Sequence, residues 1–140
     1  MTLLEDNVIS LRTAIFKDDG VLGYLVLTPP VPDRRPDGHL HLDICFVYKH
    51  HRSTTDIMEG CYSKHSLAFM LQNMKTVEIG PNPELNFLWS ESGHSVALIV
   101  NGEPMGFIAE NRFSGYSKAS ENPQVMNLWD EDLFQKTFKT

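Results

Sequence analysis

The chain alternates between short apolar runs and turn residues, a pattern typical of antiparallel strands joined by hairpins. Val21–Thr28 is rich in Val, Leu and Tyr and predicts a strand, which the turn signal Asp19-Gly20 joins to the apolar end of Asn7–Phe16. Tight hairpin turns need residues that tolerate positive φ, as Asp and Gly do. We therefore expect a first hairpin here. The proline-rich segment 29–36 then interrupts regular structure, because proline lacks the backbone donor that a strand needs.

The segment from His39 to Lys49 shows the clearest period of two. One face carries apolar side chains, and the other carries polar side chains and a cysteine. The apolar set is Leu40, Leu42, Ile44, Phe46 and Tyr48, and the opposite set is His39, His41, Asp43, Cys45 and Lys49. This pattern predicts an antiparallel strand with its apolar face buried.

The C-terminal half predicts a three-stranded meander. Phe87–Trp89, Ser95–Val100 and Met105–Ala109 are its apolar runs. Asn101-Gly102, between the last two, is the strongest short hairpin signal because both positions of a type I′ turn need positive φ.

Four other segments are assigned from local composition. Ser63–Met74 matches the i, i+3, i+4 spacing of an amphipathic helix, and a strand also fits it. Lys75–Gly80 predicts a short strand, and Gly115–Pro123 predicts a polar loop. Asp130 caps a short terminal helix that runs through Lys139 and has acids in its first turn.

Together these elements predict an α+β fold: an antiparallel, hairpin-rich twisted sheet with one central helix and a short C-terminal helix. The 140 residues fit a single domain over 1–140, and 41% hydrophobic with 21% charged residues is an ordinary globular composition. The longest apolar runs are five residues, whereas a membrane-spanning helix needs about 20. The N-terminus has no leader-like pattern, so we expect a cytoplasmic protein in which Cys45 and Cys61 are free thiols.

The net charge of −6 is unevenly distributed. Residues 77–132 carry nine acids against two bases, which makes that segment −7. This balance disfavours nucleic acid as a partner, because phosphate binding needs a basic surface. It favours a basic protein partner, which an acidic surface attracts during association. The acids that we assign to such a contact are Glu103, Glu110, Glu121, Glu131 and Asp132.

A metal site is the sharpest chemical alternative. His39, His41 and Asp43 alternate along the predicted strand, so their side chains project to one face. Imidazole and carboxylate groups suit zinc, iron or nickel. The outer two would lie about 13 Å apart along a strand, so only His41 and one neighbour can share an ion. A solvated strand face is the simpler interpretation.

No cofactor or catalytic motif accompanies these features. The chain has no Walker A, GxGxxG, HExxH or EF-hand pattern and no GxSxG nucleophile motif. We therefore expect no cofactor, and we expect that the protein is not an enzyme.

Two segments resemble motifs of a known family. Phe16–Tyr24 reads F-K-D-D-G-V-L-G-Y, and Trp89–Pro104 begins W-S-E-S-G and ends V-N-G-E-P. They are similar to the F-x-D-D-G-x-x-G-Y and W-S-x-D-G-x-x-A-L-L-I-N-G hairpins of a family of small uncharacterised bacterial domains. Glu91–Gly93 departs from the acidic Asp-Gly of that family. The resemblance implies a hairpin-rich fold and brings no activity with it.

Small acidic bacterial domains of this type include immunity proteins, which neutralise toxins delivered by neighbouring cells. We therefore expect a non-enzymatic protein-binding domain, an immunity-type inhibitor of a basic toxin, that acts as a monomer or small homo-oligomer without nucleic acid or membrane. The alternative is a metal-binding module or metal-dependent enzyme that uses the His39, His41 and Asp43 face.

Overall fold

The computed structural model describes residues 1–30, 43–50, 72–112 and 114–139. Within them lie nine strands and a helix, α1 (Glu131–Phe138). The strands are β1 (Thr2–Asp6), β2 (Thr13–Asp18), β3 (Leu22–Leu27), β4 (Asp43–Lys49), β5 (Leu85–Trp89), β6 (Val96–Val100), β7 (Glu103–Ile108), β8 (Tyr116–Ser117) and β9 (Asn127–Leu128). They form two sheets where the sequence predicts one, so the fold is sheet-rich and of the α+β type.

The first sheet is antiparallel, in the order β1-β2-β3-β4. The predicted hairpin forms between β2 and β3, and Gly20 in its turn has a φ of 89°. The Asp19 side chain accepts hydrogen bonds from the N–H groups of Val21 and Leu22, which fixes the turn. The sequence pattern does not predict β1, because four of its five side chains are exposed and show no alternation.

Over Ile44–Val47, strand β4 buries the opposite face from the one predicted, whereas Tyr48 is buried as predicted. Cys45 and Val47 are fully buried, whereas Ile44 is 39% exposed. The run from Ile44 to Tyr48 is apolar throughout, so a period of two cannot distinguish its faces. The β3–β4 register also shifts after Gly23, and Tyr48 is buried beside Val47.

The second sheet has the order β5-β6-β7-β8-β9, in which only β8 and β9 run parallel. Its first three strands are the predicted meander. Asn101 and Gly102 have φ values of 51° and 83°, which confirms the predicted hairpin turn.

Two segment predictions need correction. The polar loop Gly115–Pro123 contains β8, and Ser117 is fully buried because its hydroxyl donates to the Val47 carbonyl. Lys75–Gly80 is not a strand, since it makes a single isolated bridge, from Thr76 to β4. Of the predicted helix over Ser63–Met74, residues 63–71 lie outside the described residues.

The main core lies between the two sheets, where β4 packs against β7 and β8. Two glycines permit this close approach, Gly106 against Val47 and Gly115 against Cys45. A Cβ placed on Gly115 would lie 2.3 Å from the Cβ of Cys45. These contacts explain why Cys45 and Val47, and not Ile44, face the second sheet.

Helix α1 covers the outer face of the second sheet, where Phe134 and Phe138 are buried against Phe107 of β7. Its predicted N-cap is confirmed, since the Asp130 side chain accepts a hydrogen bond from the Leu133 N–H at 3.0 Å. The described part of the chain holds no helix with the length and apolar character that a membrane span requires.

Candidate functional site

Three of the five predicted partner-binding acids gather near the start of α1. Glu131 and Asp132 are exposed in its first turn. Glu103, at the start of β7, forms a salt bridge of 3.1 Å with Lys118. The same Lys118 ammonium lies 4.7 Å from the centre of the Trp129 ring, next to the helix N-terminus. The fold thus connects an acid from a distant hairpin to the acids of the helix.

Trp129 stands at the rim of an aromatic cluster. Its ring meets Phe107 edge-on at 5.2 Å and lies 5.1 Å from Phe134. Tyr116 stacks on the same Phe107 at 4.9 Å with an interplanar angle of 9°. The indole N–H of Trp129 donates to Glu131 at 3.0 Å. These contacts hold a half-buried aromatic ring and a carboxylate in a fixed mutual position.

Trp129 and the acids of the first helical turn line a groove of about 440 Å³, which we call the acidic groove. Its lining residues are Tyr116, Pro123, Asn127, Leu128, Trp129, Asp130, Glu131 and Asp132. Aromatic rings and carboxylates together suit the side chain of a lysine or an arginine, through cation–π contact and charge-assisted hydrogen bonds.

The carboxylates of the acidic groove are not equivalent. Hydrogen bonds from Gln135 and then from the Trp129 indole lower the pKa of Glu131, and the nearby charge of Lys118 lowers it further. Glu131 is therefore ionised at neutral pH. Asp132 has no hydrogen-bond or ion-pair partner among the described residues, so its carboxylate is open to a partner.

The other two predicted acids lie elsewhere. Glu110 lines a second groove, of about 620 Å³, that also contains Arg112, Lys136 and Lys139 and is therefore of mixed charge. Glu121 is exposed, and its backbone N–H donates to the carbonyl of Asn73. Neither residue lines the acidic groove.

A second cluster of titratable groups lies in the first sheet. The buried carboxylate of Asp18 accepts hydrogen bonds from the Tyr48 hydroxyl at 2.7 Å and the Gly20 N–H at 2.8 Å, and it pairs with the His50 ring at 2.7 Å. Burial alone would raise the pKa of Asp18, but these three hydrogen bonds outweigh it and lower the pKa. Burial, followed by the bond to Asp18, raises the pKa of Tyr48.

Folding alone accounts for this cluster and for the motif that contains it. Gly23 lies so close to Tyr48 that a Cβ would approach its ring to 2.7 Å, and Phe16 packs on the same ring at 5.7 Å. Asp18 ties the β2–β3 turn to β4 through Tyr48 and His50. Among the described residues no Ser, Thr or Cys side chain hydrogen-bonds to these three groups.

The metal hypothesis falls mostly outside the described residues, since His39 and His41 lie there. Asp43 is described, and its carboxylate is 3.9 Å from the guanidinium of Arg12, so part of its charge is already balanced. In the described ranges no three His, Cys, Asp or Glu side chains are arranged to hold a metal ion. The metal site therefore stays a prediction.

Cys45, the cysteine that the structure describes, has a protonated thiol at neutral pH. Cys45 is a free thiol, as predicted, and it is fully buried where a polar strand face was expected. Burial raises its pKa to about 12, so it carries no thiolate at neutral pH. Cys61 lies outside the described residues.

Comparisons of the chain with protein families, with curated proteins and with solved structures returned no match. The candidate site consequently depends on the geometry of this chain.

The sequence predicted Glu131 and Asp132 as contact residues but did not predict that Trp129 and Lys118 belong to the same candidate site. The available signal was the tetrad Trp129–Asp132, in which an aromatic residue directly precedes three acids.

Proposed function

We propose that this protein is a non-enzymatic binding domain that receives basic side chains of a protein partner in the acidic groove. The observation that carries the proposal is the groove itself, where Glu131, Asp132 and the half-buried ring of Trp129 line one shallow, open surface. An aromatic ring beside exposed carboxylates suits the basic side chains of a protein partner.

Charge supports a basic partner. Residues 77–132 have a net charge of −7, and the acids at the groove belong to this segment. Such a field raises the rate at which a cationic protein associates, and added salt screens it. Lys118 places an ammonium group 4.7 Å from the centre of the Trp129 ring, a contact of the kind that we propose for the partner's basic side chains.

The finer part of the proposal is that the partner is a basic bacterial toxin and that the protein is its immunity-type inhibitor. The supporting features are the acidic surface and the motif resemblance to small bacterial domains. The proposal also includes a cytoplasmic location. Its test is co-expression with the toxic product of the adjoining gene: cells survive if this chain inhibits that product.

The groove is tested by titrating a fluorescent Lys/Arg-rich peptide into the wild-type protein and into the double variant Glu131→Lys with Asp132→Lys. The matched control is Glu78→Lys with Glu84→Lys, because both of these acids are exposed, lie outside the groove and change the net charge equally. We expect the groove variant to lose at least about tenfold in affinity and the control to lose much less.

Salt separates a specific site from general attraction. The difference between the two variants should shrink at high ionic strength, because exposed charges are screened beyond about 10 Å at 0.1 M salt. Equal losses in both variants would mean that the overall charge, and not the groove, attracts the peptide. That result would refute the proposed site.

A further inference from the structure

Among the described strands, β1 lies at one edge of the first sheet. The terminal amine of Met1 donates to the Asp18 carbonyl at 3.1 Å, and the Asp18 N–H donates back to Met1 at 2.9 Å. Asn7 similarly donates to the carbonyl of Arg12. In an antiparallel ladder the intervening residues of the same parity bond to β2, so Thr2, Leu4 and Asp6 direct their backbone groups outwards. No other described strand pairs with this edge.

Large apolar side chains accompany this edge. Leu4 is 58% exposed, and Val8 and Ile9 in the loop after β1 are 87% and 72% exposed. The loop is not loosely held, because the Asn7 side chain accepts hydrogen bonds from the N–H groups of Ile9 and Ser10. Fully burying an aliphatic side chain contributes about 1.5–3 kcal/mol, so a partner strand that covers Leu4 on β1 is stabilised by part of this amount.

We propose that this partner is a second copy of the chain, whose β1 pairs antiparallel with the first β1 about a twofold axis at Leu4. Leu4 then faces Leu4, and Thr2 faces Asp6 of the second copy. All of these residues direct their backbone groups outwards, so three facing pairs form about six hydrogen bonds between the copies. The two four-stranded sheets become one continuous sheet.

The charges on β1 select this register. Sliding the strands by one step of two residues, so that Asp6 faces Leu4, would place Glu5 directly opposite Glu5, and facing like charges are destabilising. Sliding the other way pairs Thr2 with Leu4 and leaves Asp6 facing no residue of the partner's β1 strand. Neither shifted arrangement uses the whole edge without repulsion.

Charge complementarity also favours a second copy over an anionic lipid surface. Lys17 is exposed, is paired in register with Thr2 and has no ionic partner among the described residues. In the proposed dimer, Thr2 lies between Lys17 of its own chain and Asp6 of the second copy, all on one face. Two strand spacings separate the two charges, about 10 Å between backbones, which a lysine side chain helps to bridge. The twofold axis forms this contact twice, whereas Glu5 and Asp6 would repel anionic headgroups.

Sedimentation velocity over a concentration series tests the dimer. The wild-type protein should become a dimer as its concentration rises. Leu4→Lys places two like charges at the twofold axis and should raise the dimer dissociation constant by at least about tenfold. Ile44→Lys is the matched control, because Ile44 is 39% exposed and lies in register on the same row of the sheet, three strands from the edge. It should dimerise like the wild type.

A cysteine tests the register directly. Facing residues of a hydrogen-bonded pair have Cα atoms about 5.5 Å apart, within the range of about 4.4–6.8 Å that disulfides span. Leu4→Cys should therefore form a disulfide-linked dimer under mild oxidation, whereas Ile44→Cys should not. Both variants keep the two native cysteines, so any background linkage affects them equally.

Three outcomes would overturn the proposal. One is a wild-type protein that stays monomeric at every concentration, and another is a dimer that Leu4→Lys leaves intact. The third is a monomer that binds phosphatidylcholine vesicles through Leu4, which would assign the apolar edge to lipid.

Discussion

Replacing Asp18 with asparagine tests whether the charge of this buried carboxylate stabilises the first sheet. The carboxylate bonds to Tyr48 and His50 through one oxygen and to Gly20 through the other. Asparagine keeps an oxygen for Gly20 but presents a neutral amide to the other two groups. Hydrogen bonds to a charged group contribute about 1.5–3 kcal/mol and neutral ones about 0.5–1.5 kcal/mol, so two weakened bonds predict a loss of about 2–3 kcal/mol in the free energy of unfolding.

Urea unfolding at neutral and acid pH measures this loss. The pKa of Asp18 is lowered from its ordinary value of 3.8 by folding. Its charge therefore stabilises the fold above that value, and this contribution is lost as the pH falls through 3.8 to the lower pKa of the folded state. The gap between the wild type and Asp18→Asn should accordingly narrow in acid.

An exposed acid provides the control. Glu78→Gln removes one charge from an exposed side chain that has no hydrogen-bond or ion-pair partner among the described residues, so it should change the unfolding free energy by less than about 0.5 kcal/mol. The reasoning fails if Asp18→Asn is as stable as the wild type at neutral pH. It also fails if the deficit is the same at pH values above and below 3.8.

Two further predictions concern the contact between the sheets. Gly115→Ala should destabilise the protein by at least about 3 kcal/mol in urea unfolding, because its Cβ would lie 2.3 Å from the Cβ of Cys45 and 3.0 Å from its backbone Cα. Gly80→Ala, at a φ of 81° with nothing within 4 Å, should cost only about 1 kcal/mol, and equal losses would contradict the close approach. In a Cys61→Ser variant, the remaining thiol of Cys45 should react with a thiol reagent only after unfolding, because it is buried and its pKa is raised to about 12. Rapid reaction of the folded variant would place Cys45 at the surface.

The parts of the fold that could be predicted are those determined locally. Gly20 and Gly102 lie at positive φ in hairpin turns. The sequence indicates this positive φ through the pairs Asp19-Gly20 and Asn101-Gly102. Asp130 is similar, because a cap needs only the following three residues to be recognised. A local signal of this kind does not depend on what the element packs against.

The parts that could not be predicted depend on contacts between distant segments. The buried face of β4 is decided by Gly106 and Gly115, which are far away in sequence and make room for Cys45 and Val47. The sequence predicts that Ser117 lies in a loop. Its burial could not be predicted, because the partner of its hydroxyl is the β4 backbone, which is distant in sequence.

The candidate site shows the same division. Counting acids along the chain identifies Glu131 and Asp132, since they adjoin the helix cap. It also identifies Glu103, but not its neighbourhood, because the pairing of β7 with β8 brings Lys118 to Glu103 and the pairing of β8 with β9 brings Trp129 to Lys118. The count includes Glu110 and Glu121 as well, which the fold places outside the acidic groove. The number of acids in the sequence therefore predicts the charge of a surface, whereas the shape of that surface depends on the tertiary structure.

The two proposed surfaces lie on different sheets, the β1 edge on the first and the acidic groove beside β9 of the second, so they need not compete. Strand β1 is joined to β5 by the hydrogen bond from the Trp89 indole to Glu5, and β5 is the strand farthest from β9 in that sheet. The acidic groove is lined by β9 and the start of α1. Pairing through β1 would therefore leave both grooves of a dimer open, and two linked sites hold a multivalent partner more tightly than either site alone. Since Leu4 belongs to one surface and Asp132 to the other, substitutions at these two positions separate self-association from partner binding, and either proposal can fail without the other.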